Sequence, residues 1–314
     1  MQNLYPAIKP YKHYELPVDK PHVLYIEETG NPQGIPVLVL HPGPGAGGDT
    51  TLRRFLDPEF YRIIIFDQRG CGRSTPHANI ENNTTSQLIA DIETIRNYLE
   101  LNQIILFGIG WGALLALLYA QKYPSEVRDL VLQRAFLGRK QEINWFYRNG
   151  ANNIYPDYWQ EFIEFTTHTK PEQVIQYYIR CLQGNNEVAR MAAAKNWALW
   201  YARCNCLQAH QSVIEEYTEP HFALALATLQ THYLNHYLFI EENQVLKNID
   251  KIKHISTYLI HGRYDMVCPL INAWDLHQAL SLSELIIVRE AGHSYQEPGI
   301  VDALINVTKH IAYK

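Results

Sequence analysis

Three short segments hold the residue types from which a nucleophilic hydrolase is assembled. LFGIGWGALLALLYA (106–120) runs from an apolar strand-like stretch through Gly108-Ile109-Gly110-Trp111-Gly112 into an apolar helix. Strand, sharp glycine-flanked turn and helix are the setting of a nucleophile elbow, G-x-S-x-G, whose central residue is pushed above the sheet. Here the central position is Gly110. The same glycines also fit a dinucleotide turn or a tight helix entry, although the spacing differs from G-x-G-x-x-G. LIHGRYDMVCP (259–269) places Asp265 just beyond a second strand-like run, and AGHSYQEPG (291–299) places His293 beyond a third. Taken singly, an aspartate and a histidine are ordinary turn or surface residues. In the order elbow, acid, histidine they suit acid–base work, in which a carboxylate orients an imidazole and the imidazole takes a proton from a nucleophile.

The elements around these loops alternate. Val37–Leu40, Arg62–Phe66, Gln103–Phe107 and Leu130–Leu132 read as buried strands, and 86–99 has apolar residues at helical spacing. From about Gly138 to Leu246 the chain turns aromatic and helical, without clear strands. Alternation returns with Thr257–Ile260, a helix after Pro269, Leu285–Val288 and a helix near Ile300–Ile311. This predicts an α/β fold with a mostly parallel sheet covered on both faces, formed by 1–138 and 247–314, and a helical cap at 139–246. Sites in such sheets form at the carboxyl ends of strands, where the three loops fall. Their chain order is that of α/β-hydrolases. The aromatic insertion reads as a packed lid over an apolar pocket, the usual form of a small-molecule site.

Composition narrows the partners. The chain has 314 residues, 47% of them hydrophobic, enough for a substantial core. Lys+Arg of 27 against Asp+Glu of 32 gives a net charge of −5, with no basic run to suggest nucleic acid. The longest apolar run, around 113–120, is far short of the ~20 residues of a membrane span. The N-terminal stretch has no apolar signal core. Five scattered cysteines suit a reduced, cytoplasmic setting, and Cys204-Asn205-Cys206 lacks the second pair of a zinc site. No metal and no cofactor are expected.

HPGPGAGG (41–48), FDQRGCGRSTPHA (66–78), ENNTT (81–85), AAAKNWALW (192–200), HGRYDMVCP (261–269) and AGHS (291–294) resemble the proline iminopeptidases across essentially the whole chain. DQRGCGRS is the most specific block. The resemblance implies an α/β-hydrolase serine peptidase with a helical cap that removes N-terminal proline. It implies Asp265 and His293 as acid and base, the backbone N–H groups of Gly43 and Trp111 as oxyanion hole, and a serine at position 110.

Gly110 stands there instead, and neither Ile109 nor Trp111 supplies a nucleophile. Further departures gather at the substrate end. The family's tryptophan–glutamate is here Trp200-Tyr201, and its glutamate ahead of His-Tyr is Gln230, so both carboxylates that hold the proline ammonium are gone. Pro42 replaces the first glycine of HGGPG. The family's arginine–glycine at a strand end becomes Gln133-Arg134, setting a long cation near the mouth of the site, facing either the cavity or solvent. Tyr201, Gln230, Arg134 and Phe136 are therefore the candidate ligand-contacting residues. The expectation is a relative without peptidase activity that binds a small molecule or short peptide. The alternative is an active hydrolase, either a serine enzyme carrying an inactivating substitution or one in which His293 activates water.

Overall fold

The computed structural model describes residues 2–166, 173–208 and 210–314. Eight strands form one sheet: β1 (Lys12–Pro17), β2 (Val23–Gly30), β3 (Ile35–Leu40), β4 (Tyr61–Phe66), β5 (Ile104–Ile109), β6 (Val127–Gln133), β7 (Ser256–Gly262) and β8 (Ser283–Val288). Their order is β1-β2-β4-β3-β5-β6-β7-β8. β1–β2 and β2–β4 pair antiparallel, and every other neighbour is parallel. The helices are α1 (Thr85–Tyr98), α2 (Trp111–Lys122), α3 (Lys140–Tyr147), α4 (Ala151–Ile154), α5 (Pro156–Glu164), α6 (Val174–Gln183), α7 (Glu187–Asn205), α8 (Gln211–Tyr217), α9 (Pro220–Asn235), α10 (Gln244–Lys247), α11 (Ile271–Ala279) and α12 (Pro298–Ala312).

The central strands are apolar on both sides, so alternate residues feed two cores. Leu38, Leu40, Ile64, Leu106 and Leu132 pack beneath α1, α2 and α11. Val37, Val39, Ile63, Ile65 and Val131 face α12. α3 to α10 all lie between β6 and β7, and a third core of aromatic side chains, with Trp197, Trp200, Phe162 and Tyr178 fully buried, belongs to them. Residues 167–172 and 209 of the expected cap lie outside the described residues.

The strand–helix turn at 108–112 needs its glycines for two different reasons. Gly108 and Gly112 let backbone meet backbone: a Cβ on Gly112 would stand 2.0 Å from Leu40 O, and one on Gly108 2.6 Å from Gly112 O. Gly110 instead takes φ 55°, ψ −109°, a conformation that penalises any residue with a Cβ. Gly108 and Ile109, read from the sequence as turn, continue β5 to the point where α2 begins.

Candidate active site

β5 delivers Gly110 at the N-cap of α2, with its N–H donated to Gln133 O at 3.0 Å. The loop after β7 presents Asp265 and the loop after β8 presents His293, both buried. His293 Nδ1 lies 2.9 Å from each oxygen of Asp265, so Nδ1 carries the hydrogen and donates it to the carboxylate. Asp265 Oδ1 also accepts from the N–H groups of Val267 (3.0 Å) and Cys268 (2.7 Å). Burial alone would raise this carboxyl, but His293 and these donors outweigh it and hold Asp265 below its ordinary range.

That tautomer leaves His293 Nε2 as an acceptor. In a working triad it would receive the nucleophile's hydroxyl. Here it receives Tyr201 Oη, which donates at 2.9 Å. Burial holds the tyrosine proton on its oxygen, well above the ordinary range. His293 is pushed down to about 4, chiefly by burial and next by the positive charge of Arg134. A neutral imidazole with so low a pKa is a weak base, since proton transfer is most effective when the pKa lies near the working pH.

Arg134 is not at the mouth of the site and does not point to solvent, as the sequence allowed. It leaves the end of β6 at φ 49° and is completely buried. Its Nε lies 3.1 Å from where a Cβ on Gly110 would stand, so the guanidinium borders the space a nucleophile would use. Nη1 donates to His293 O at 3.0 Å and reaches Asn205 Oδ1 at 3.5 Å. Nε and Nη2 have no hydrogen-bond partner among the described residues, and the guanidinium lies over the Tyr295 ring, 5.5 Å from its centroid.

A cavity of about 70 Å³ lies against the elbow. Gly43, Gly110, Trp111, Phe136, Tyr201, Gln230 and His293 all line it, whereas Asp265 and Arg134 do not. The structure thus brings the oxyanion candidates, the elbow, the histidine and three of the four ligand-contact candidates to one space. Gln230 Oε1 accepts from Trp197 Nε1 at 2.7 Å and Tyr147 Oη at 3.4 Å.

Sequence reading missed several supports. Trp111 Nε1 donates to Gln68 Oε1 at 2.9 Å, while Gln68 N–H donates to His41 Nε2 at 3.0 Å and Gln68 Nε2 to His41 O at 3.1 Å. Gln68, inside DQRGCGRS, therefore ties the elbow to the Gly43 loop. Glu142 in the cavity wall was missed as well, but Arg139 Nε (2.6 Å) and Leu137 N–H (2.9 Å) already engage it. Cys71 and Cys268 are buried thiols whose pKa values burial raises well above the ordinary range, so neither offers a thiolate. No cluster suited to a metal ion occurs among the described residues, and none of their helices is long and apolar enough to cross a membrane.

The imidazole should stay uncharged in solution well below neutrality. Its folded pKa is depressed from 6.5 to about 4, so the unfolded chain binds the proton first. The stability His293 contributes is complete above pH ~6.5 and is lost as pH falls toward 4, at about 1.4 kcal/mol per unit. Urea unfolding free energies of the wild type and His293→Asn, compared from pH 7 to 4.5, should diverge by about that slope. Parallel curves would show that His293 titrates normally.

An eight-stranded, mostly parallel sheet, a glycine-bearing elbow after β5, and an acid and histidine after β7 and β8 define an α/β-hydrolase. A family model described as the alpha/beta hydrolase fold matches residues 35–299. An esterase from Exiguobacterium antarcticum has a similar fold, with TM-score 0.62 at 21% identity over 92% of this chain and 96% of the esterase. The relatives in sequence are more specific. A proline iminopeptidase of Xylella fastidiosa is 46% identical over 98% of this chain and 99% of its own length. That of Arabidopsis thaliana is 44% identical over 97% of this chain and 80% of its own. The chain belongs to the proline iminopeptidase family.

Proposed function

We propose that this member of the family has lost serine peptidase activity and acts as a binding protein for a small ligand, with the helical segment 139–246 as its lid. One observation carries the reading: position 110 has no side chain, and the space where one would begin is bordered by Arg134. Glycine can donate neither an oxygen nucleophile nor a proton. In subtilisin, a standard example, removing the serine alone costs roughly a million-fold in turnover.

Two further features support the loss over a switch to water activation. Nε2 of His293, the atom that would deprotonate a water, is engaged by Tyr201. Among the described residues the cavity also has no free carboxylate to hold an N-terminal ammonium, because Tyr201 and Gln230 are uncharged and Glu142 is paired with Arg139. A desolvated ammonium without such a partner binds poorly.

The test is direct. A fluorophosphonate probe should not label the protein, and proline β-naphthylamide should be turned over no faster than background. Labelling at the elbow, or turnover within a hundredfold of a typical enzyme's ~10 per second, would refute the reading.

A further inference from the structure

The fold has buried a cation beside the elbow, over the Tyr295 ring, and left two of its nitrogens without a hydrogen-bond partner among the described residues. Arg134 is wholly inaccessible, yet among the described residues only Nη1 has acceptors, and these are the neutral oxygens of His293 and Asn205. Asp265, the carboxylate of the site, is no substitute, because His293 Nδ1 and two backbone N–H groups occupy it. Guanidinium carries five N–H donors in a planar fork, and the group that satisfies such a fork is a carboxylate. Nε, the donor nearest Gly110, lies close to a second source of positive potential. Gly110 is the N-cap of the twelve-residue helix α2, whose first N–H groups and aligned dipoles favour an anion.

Arg134 does not itself line the cavity; Gly110, which does, is the point at which the two come closest. The side-chain direction of Gly110 leads to Nε of Arg134 at 3.1 Å, and Gly110 lines the cavity. Much of the remaining wall is apolar, with Phe136, Phe146, Ile143, Val267 and Leu234, and its one carboxylate among the described residues, Glu142, is neutralised by Arg139 at 2.6 Å. At about 70 Å³ it is small beside the ~300–1,000 Å³ of common ligand pockets, which favours a small ligand over a peptide.

We propose that the cavity takes a short monocarboxylate, with its carboxylate at Gly110, drawn by the charge of Arg134 behind it and by the α2 N-terminus, and its apolar body among Phe136, Phe146 and Val267. This inference rests on the reading that position 110 carries no nucleophile. The family resemblance implied a grip on ammonium; the residues here present the opposite charge.

Three molecules with one carbon skeleton and different heads test it: isovalerate, isovaleramide and isoamylamine, titrated calorimetrically into the whole protein at neutral pH. Isovalerate should bind at least ~10-fold more tightly than either of the others, a difference of about 1.4 kcal/mol. Arg134→Met keeps the stem and removes the fork, so the carboxylate preference should fall below threefold. Arg134→Lys should keep part of it by charge alone. Equal binding of acid and amide, stronger binding of the amine, or sulfate competing as well as isovalerate would overturn the proposal. If Arg134→Met fails to fold, the head-group series on the wild type still decides. Conversion of isovaleramide to isovalerate during the titration would instead strike at the loss of hydrolytic activity, so the two readings fail by different signals.

Discussion

Gly110→Ser alone should leave the protein unreactive toward a fluorophosphonate, whereas Gly110→Ser/Arg134→Gly/Tyr201→Phe should label at least ~100-fold faster. The magnitude follows from what the single change lacks. A serine Cβ would meet Arg134 Nε at 3.1 Å, and its hydroxyl would have to displace Tyr201 from His293 Nε2. Without that bond the serine has no general base, a contribution typically worth 10²- to 10⁴-fold. Removing the guanidinium frees the space and takes away the second-largest cause of the low His293 pKa, and removing the tyrosine hydroxyl frees Nε2. Stability should move with it. Serine at φ 55° costs on the order of 1–3 kcal/mol, while glycine at position 134 relaxes a non-glycine residue held at φ 49°. Positions 110 and 134 should thus behave as a coupled pair, with a serine at the elbow tolerated better beside a glycine than beside the arginine. A single mutant that labels as fast as the triple would show that Arg134 and Tyr201 are bystanders.

Much of this site can be read from sequence because it sits where strand periodicity stops. Asp265 and His293 each follow an apolar run that fixes a strand end, and Gly110 lies between an apolar strand and an apolar helix. What was hidden depends on partners remote in the chain. β1 and β2 went unread because VLYIEETG carries Glu27 and Glu28, which look like solvent residues. They are buried because arginines far along the chain pair with them: Arg53 at 2.6 Å and Arg73 at 2.9 Å with Glu27, and Arg62 at 2.5 Å with Glu28. Arg134 was misplaced for a similar reason. Its direction is set by a positive φ at the end of β6, which no local propensity for arginine indicates. The contact of Tyr201 with His293 spans 92 positions and joins the helical insertion to the sheet, so periodicity in either segment is silent about it.

DQRGCGRS shows the same limit from the other side, since the block that most specifically marked the family turns out to act as a brace. Arg69 Nε and Nη2 donate to Asp91 Oδ2 and Oδ1 at 2.7 and 2.6 Å, with both side chains buried, and Nη1 donates to Asn82 O. Asn83 next door donates to Arg69 O and accepts from Tyr233 Oη of α9, so one arginine links the loop, α1 and the helical insertion. Arg69→Met should cost about 3–5 kcal/mol, because it strands a buried carboxylate on α1. Arg69→Met/Asp91→Leu should regain most of that loss, since an apolar pair needs no desolvated partner. The deficit of the single variant should also depend on pH. Burial raises the Asp91 pKa even with Arg69 present, and losing the arginine removes the main opposing influence. A carboxyl whose folded pKa exceeds its unfolded value favours folding at low pH and loses that contribution as pH rises. Arg69→Met should therefore lie closer to the wild type at pH 5 than at pH 8 in urea unfolding. A double variant no more stable than the single one, with a deficit indifferent to pH, would mean that Arg69 matters through Asn82 and the loop backbone rather than by neutralising Asp91.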